Sequence, residues 1–177
     1  MRLIAAILIA ALPCAALAAG SDDTAPPKPT QTSKDCKKGQ VWDEKTAACV
    51  NPEDARLDDD TRFGAVRELA WAGRPEDARR VLAAMTEGRT DRVMTYDAFT
   101  LRKTGRIEEG LKVYEAALVA NPRNVLARSY YGQALVDQGE YDMARTQLAE
   151  IAAAGATNSW AHQSLARAIE TGLTADY

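Results

Sequence analysis

Few residues in this sequence have the type and spacing to do chemistry. The one histidine is His162, with no cysteine near it and no His-Glu-x-x-His pattern, so it offers no metal site. No Gly-x-Ser-x-Gly elbow presents a serine nucleophile, and no glycine loop of phosphate-binding pattern occurs. Carboxylates are interleaved with arginines at helical spacing, as in Glu76-Asp77 before Arg79-Arg80. That pattern describes a solvated helix face with ion pairs between neighbouring turns. Asp58-Asp59-Asp60 lacks the alternating spacing of a calcium loop. Placed just before a helix, these acids instead cap free backbone N–H groups and oppose the positive end of the helix dipole. The reading is a non-enzyme with no catalytic residue, no metal site and no cofactor.

The three cysteines depend on where the chain goes. Met1-Arg2 is a short positive start, Leu3 to Leu12 is uninterruptedly apolar, and Ala16-Leu17-Ala18 offers small residues. This is the pattern of a secretory signal peptide over 1–18, cleaved near Ala18. The alternative is a retained anchor, but Leu3 to Ala19 is about 17 residues, contains Pro13, and falls short of the roughly 20 needed to span. Pro13 also argues against lipid attachment at Cys14, where a small residue is wanted. Export leaves Cys36 and Cys49, and an even pair in an oxidising compartment is most simply a disulfide. The Ala- and Arg-rich composition fits a bacterium with a GC-rich genome, so the expected location is periplasmic or secreted.

Residues 19–35 are rich in Pro, Thr and Ser, have no large apolar side chain, and read as a disordered linker. Residues 36–50 read as a hairpin, with strand character around Val41-Trp42, a charged turn, and a return through Ala47 to Val50. A disulfide is expected to support it, because an isolated two-stranded hairpin is marginal in water. The run Cys-x-x-Gly-x-Val-Trp-Asp from Cys36, with the later Thr-x-x-Cys-Val, resembles half of the small secreted cysteine modules, some of which bind chitin. The other cysteines of those modules are absent. Trp42 is expected either to cover the disulfide or to stack on a sugar ring.

Residues 60–171 carry a repeat. Gly105 and Gly139 are 34 residues apart, and the same step relates Leu101 to Leu135, Gly110 to Ala144 and Tyr114 to Leu148. A fixed period of that size signals stacked helix–turn–helix units. The first unit, from Gly73 to Gly105, is two residues shorter, and the shortening is expected in the connection at Thr86 to Thr90. One further step from Leu135 lands on Ile169, so the last helix reads as the first helix of an unpaired fourth unit, capped by Asn158. Net charge is −3 with both signs mixed, which excludes a strongly basic nucleic-acid binder.

Gly132 and Ala144, Tyr114 with Ala117 and Pro122, and the turn glycines Gly73, Gly105 and Gly139 resemble the tetratricopeptide-repeat family. The array departs from the family pattern where an early aromatic is usual, at Arg62, Met94 and Arg128, and where Gly110 replaces Ala. A helical glycine costs roughly 1 kcal/mol, so the second unit is expected to be locally weaker. The resemblance implies an all-α solenoid of three units and a capping helix, with first helices lining a concave groove that holds a protein or peptide partner. Helical spacing then puts Phe63, Arg67 and Trp71, then Phe99, Arg102 and Lys103, then Gln133 on that groove as partner-binding residues. Thr95, Ser129, Asp137, Trp160, Gln163 and Arg167 are expected beside them. The arginines and lysine favour acidic ligands. The alternative is a wall-associated module binding glycan through Trp42. No membrane span is expected after signal cleavage.

Overall fold

The computed structural model describes residues 24–174, so the expected signal segment lies outside the described residues. The chain is all-α, with a small antiparallel hairpin ahead of the array. A helical turn α1 (Gln31–Lys34) precedes β1 (Val41–Asp43) and β2 (Ala48–Val50). Three helix pairs follow: α2 (Asp59–Trp71) with α3 (Pro75–Ala83), α4 (Asp91–Lys103) with α5 (Ile107–Ala120), and α6 (Val125–Asp137) with α7 (Tyr141–Ala153). A single helix α8 (Trp160–Thr171) ends the array.

One local device recurs at each pair. The first helices begin at Asp58, Thr90, Asn124 and Ser159, whose side chains each accept from the backbone N–H three residues on. Such a cap stabilises by about 1 kcal/mol. Ser159, not Asn158, therefore caps α8. The same helices end in one turn: Arg74, Arg106 and Glu140 N–H each return 2.9 Å to the carbonyl of Leu69, Leu101 and Leu135. The glycine before each has positive φ, which this helix-ending motif requires. Gly172 ends α8 at φ 71°, with its N–H 2.9 Å from the carbonyl of Ala168.

Small residues set the distance between paired helices. Ala78 and Ala144 are fully buried. At Gly110 an added Cβ would lie 2.9 Å from the carbonyl oxygen of Ala98. Gly110 is therefore a contact residue that lets α5 approach α4, and the propensity argument for a weak second unit misses this close packing. The shortening of the first unit falls in α3 itself, which has 9 residues against 14 in α5. Both atypical arginines take structural work in place of the usual aromatic. Arg62 donates to the carbonyls of Pro52 and Asp54, and Arg128 to the carbonyl of Pro122, each tying the preceding connection to its helix.

The hairpin is joined to the array. Cys36 and Cys49 are disulfide-bonded, and Val41, Val50 and Leu57 belong to the same buried core as Val66, Leu69 and Val81. Part of the segment read as a disordered linker is ordered: Thr30 caps α1, and Thr32 is buried. Its residue types carry no apolar signal; its order comes from polar groups of α2, from Arg74 just beyond it, and from the Trp42 N–H of the hairpin. No helix among the described residues is long and apolar enough to cross a membrane.

Candidate functional site

Helices α2, α4, α6 and α8 meet along one face, and aromatic rings fill the seam between them. Phe63 meets Tyr96 edge-on at 5.5 Å, Phe99 lies 4.8 Å from Tyr130, and Tyr130 lies 6.2 Å from Trp160. Trp71 of the first unit touches Trp160 of the capping helix at 5.0 Å. Residues at the two ends of the array are thus in ring contact. The middle of the expected groove is interior, held by ring contacts each contributing about 0.5–1.5 kcal/mol beyond burial.

This geometry divides the residues expected to touch a partner. Phe99 and Gln133 are 0% exposed and Arg102 only 6%. Phe99 packs in the seam, Gln133 bonds Ser129 and Ser164, and Arg102 pairs with Asp137 at 2.7 Å. Helical spacing puts them on the inner face, and in the structure that face is closed over them. Thr95 and Ser129 are buried for the same reason. Lys103 is half-buried, with its ammonium 5.8 Å from the Phe99 ring centre. Phe63, Arg67 and Trp71 remain half-buried and border open clefts.

Two clefts lie along the seam. One, of about 510 Å³, opens between the N-terminal ends of α2, α4 and α6 and is bordered by Phe63, Arg67, Arg92, Asn121, Asn124 and Leu126. The other, of about 420 Å³, is bordered by Trp71, Trp160, Gln163, Arg167 and Leu173. The first has a polar rim fixed in advance. Arg92 stacks 4.8 Å over Phe63, grips Glu87 with two nitrogens at 2.8 and 2.7 Å, and reaches Asp60 at 2.8 Å. Its hydrogen bonds to Glu87 hold the guanidinium pKa above its ordinary value. Asp91 accepts from the side-chain amides of Asn121 and Asn124 at 2.7 and 2.9 Å. A rim of fixed charges, amides and an aromatic can hold polypeptide without ordering many side chains first. Arg92, Asn121 and Asn124 escape the sequence reading. The signal available was their position at the connections between units, where loops carry function.

A third cleft, of about 570 Å³, lies between the hairpin and α2, bordered by Trp42, Asp43, Lys45, Arg56 and Glu68. Trp42 is half-buried and stands opposite Cys49 in the ladder, so it both flanks the disulfide and borders this cleft. Thr46 and Lys45 hydrogen-bond Asp43 strongly enough to hold its carboxyl below the usual range against burial.

Comparison with known proteins adds one finding. Residues 100–159, from the end of α4 through α7, match the family model described as tetratricopeptide repeat. No curated protein and no solved structure matches. The family is a repeat scaffold, generally non-catalytic, associated with protein–protein interaction. Residues 100–159 are thus tetratricopeptide repeat, and the same turn at Gly73, Gly105 and Gly139 makes the helix pair ahead of them similar to it.

Proposed function

We propose that this protein is a non-catalytic adaptor of the bacterial cell envelope that holds a protein or peptide partner in the cleft between α2, α4 and α6. The observation that carries the reading is the sealed aromatic seam. It removes the centre of the inner face from contact and leaves Phe63, Arg67 and Arg92 at an open, pre-ordered rim. The apolar run at Leu3 to Leu12 and the Cys36–Cys49 disulfide support an oxidising, exported location. The test is crosslinking in intact envelopes. Wild type is compared with Arg123→Glu plus Leu126→Ser at the cleft, and with Val119→Glu on the outer face, where Val119 is exposed. A discrete partner kept by the outer-face variant and lost by the cleft variant supports the reading. Equal retention by both moves the contact elsewhere.

A second reading rests on Trp42 at the third cleft: glycan stacked on its ring, with the charged rim hydrogen-bonding hydroxyls. Co-sedimentation with insoluble peptidoglycan and with chitin, using Trp42→Ala as control, decides it. Sedimentation that is unchanged by the substitution discards it.

A further inference from the structure

The segment ahead of the disulfide module is gripped by two adjacent side chains of α2. Arg67 donates from Nη2 to the carbonyl of Ala25 at 3.0 Å. Glu68 accepts from the Thr30 N–H at 2.6 Å, the Thr30 hydroxyl at 2.7 Å and the Ser33 N–H at 2.9 Å. Between these anchors run Pro26, Pro27, Lys28 and Pro29, an extended stretch with little backbone N–H to offer. Thr24 borders the cleft between α2, α4 and α6, while Pro27, Lys28 and Thr30 border the cleft beside the hairpin. Gly64 borders both, and a Cβ there would meet nothing within 4 Å. One strap therefore runs along α2 past two clefts.

We propose that residues 24–30 are an intramolecular ligand, seated in an Arg67–Glu68 clamp that an extended peptide partner takes by displacing them. The inference rests on the reading of the cleft as a peptide site. Both prongs of the clamp act mostly on main-chain groups: a carbonyl for the guanidinium, two N–H groups and one hydroxyl for the carboxylate. A peptide with an extended proline run, Ser or Thr five residues after the gripped carbonyl, and a helical turn that brings one further N–H to the carboxylate offers the same groups. The strap itself brings no large apolar side chain, so four charge-assisted hydrogen bonds retain it, and a displacing peptide must replace them. Its advantage is the tether, which gives a short cis segment an effective concentration of about millimolar.

The probe is a dye-labelled synthetic peptide of residues 22–33, titrated against the full chain by fluorescence anisotropy. Replacing Pro26, Pro27 and Pro29 with Gly loosens the strap by enlarging its unbound ensemble, and circular dichroism checks that the array stays folded. The peptide is expected to bind this variant at least tenfold tighter than wild type, and Arg67→Ala in the same background is expected to abolish the gain. Equal binding to both forms, or binding to neither, overturns the proposal. On the wild-type chain, millimolar peptide is expected to speed amide exchange at Thr30 and Ser33; unchanged or slower exchange counts against displacement. If the envelope partner is lost with Arg123→Glu and Leu126→Ser while the peptide binds neither form, the strap proposal fails and the cleft function stands. Peptide binding with no captured partner gives the reverse.

Discussion

The two ends of the array are closed by different physics. At the N-terminal end, the disulfide-tied module packs Val41, Val50 and Leu57 into the core and is fastened to α2 and α3 by directed bonds. Arg62 holds the carbonyls of Pro52 and Asp54, Arg74 holds the carbonyl of Ser33 while pairing with Asp77, and Glu68 holds Thr30 and Ser33. At the C-terminal end, α8 covers α6 and α7 largely by fit. Ala161, Leu165 and Ala168 are buried, and Leu165 sits over Gly132. A closure made of bonds is open to changes of pH and redox state. A closure made of shape is open to changes of volume. Each end is therefore expected to fail under the stress that spares the other.

The largest effect is expected at the shape-closed end. Leu165→Ala empties a fully buried site and should destabilise by about 3 kcal/mol, within the usual range for such cavities. Urea unfolding measures it. Hydrogen exchange should show α8 and α6 loosened while the segment from Thr30 to Leu57 keeps its protection. Loss of protection spread evenly along the chain would remove the distinction between the ends.

Breaking the disulfide is the counterpart. The Cys36–Cys49 loop has a sequence separation of 13, for which chain entropy gives about 3 kcal/mol at most. Cys36→Ser with Cys49→Ser should lower thermal stability somewhat less than that, because Val41 and Val50 still pack on the array. Faster exchange is expected from Thr30 to Leu57, with α6 to α8 unchanged. A reducing agent should have no effect on the double variant beyond this.

Acid should act at the same end, by a smaller amount. Burial alone would raise the Glu68 pKa, but the hydrogen bonds from Ser33 and Thr30 outweigh it and hold the carboxyl below its ordinary value of 4.5. A carboxylate depressed in the folded state contributes stability that is present above the ordinary value and lost as pH falls through the folded value. Strap and α1 should loosen below about pH 4.5, ahead of α8. Glu68→Gln is expected to remove that acid step when exchange at Thr30 and Ser33 is followed against pH.

The repeat end of this contrast is legible in the sequence, and the bonded end is not. Turn glycines and N-caps act locally: Gly73, Gly105 and Gly139 announce the same turn wherever they stand, and Asp58 marks a helix start. The period also gives the inner faces. It does not give curvature, which decides whether an inner-face residue lines a groove or fills it. Trp71 and Trp160 meet only because small per-unit rotations add up, so Phe99 and Gln133 pass from surface to core without any local sign. The strap is illegible for another reason. Its residue types show no reason to order, since Arg67 and Glu68 hold its backbone groups, which every sequence has.

Two helical glycines sharpen the comparison at the scale of one methyl group. Gly64 lies on α2 at the bonded end with open space around it, and Gly132 lies on α6 beneath α8. Propensity favours Ala over Gly by roughly 0.5–1 kcal/mol at both. At Gly64 nothing opposes that gain, so Gly64→Ala should stabilise by about 0.5 kcal/mol. At Gly132 a Cβ would stand 2.6 Å from Leu165 Cδ2 and 3.2 Å from its Cγ, and Leu165 is fully enclosed. Overpacking of that kind costs about 1–3 kcal/mol, which exceeds the propensity gain and reverses the sign. If the clash is with Leu165, the Gly132→Ala and Leu165→Ala pair must be less destabilising than the sum of the two single changes. The cavity left by the shortened leucine then accepts the new methyl group. Additivity in urea unfolding would show that Gly132 is needed for some contact other than Leu165, and that α8 is not held by the fit described.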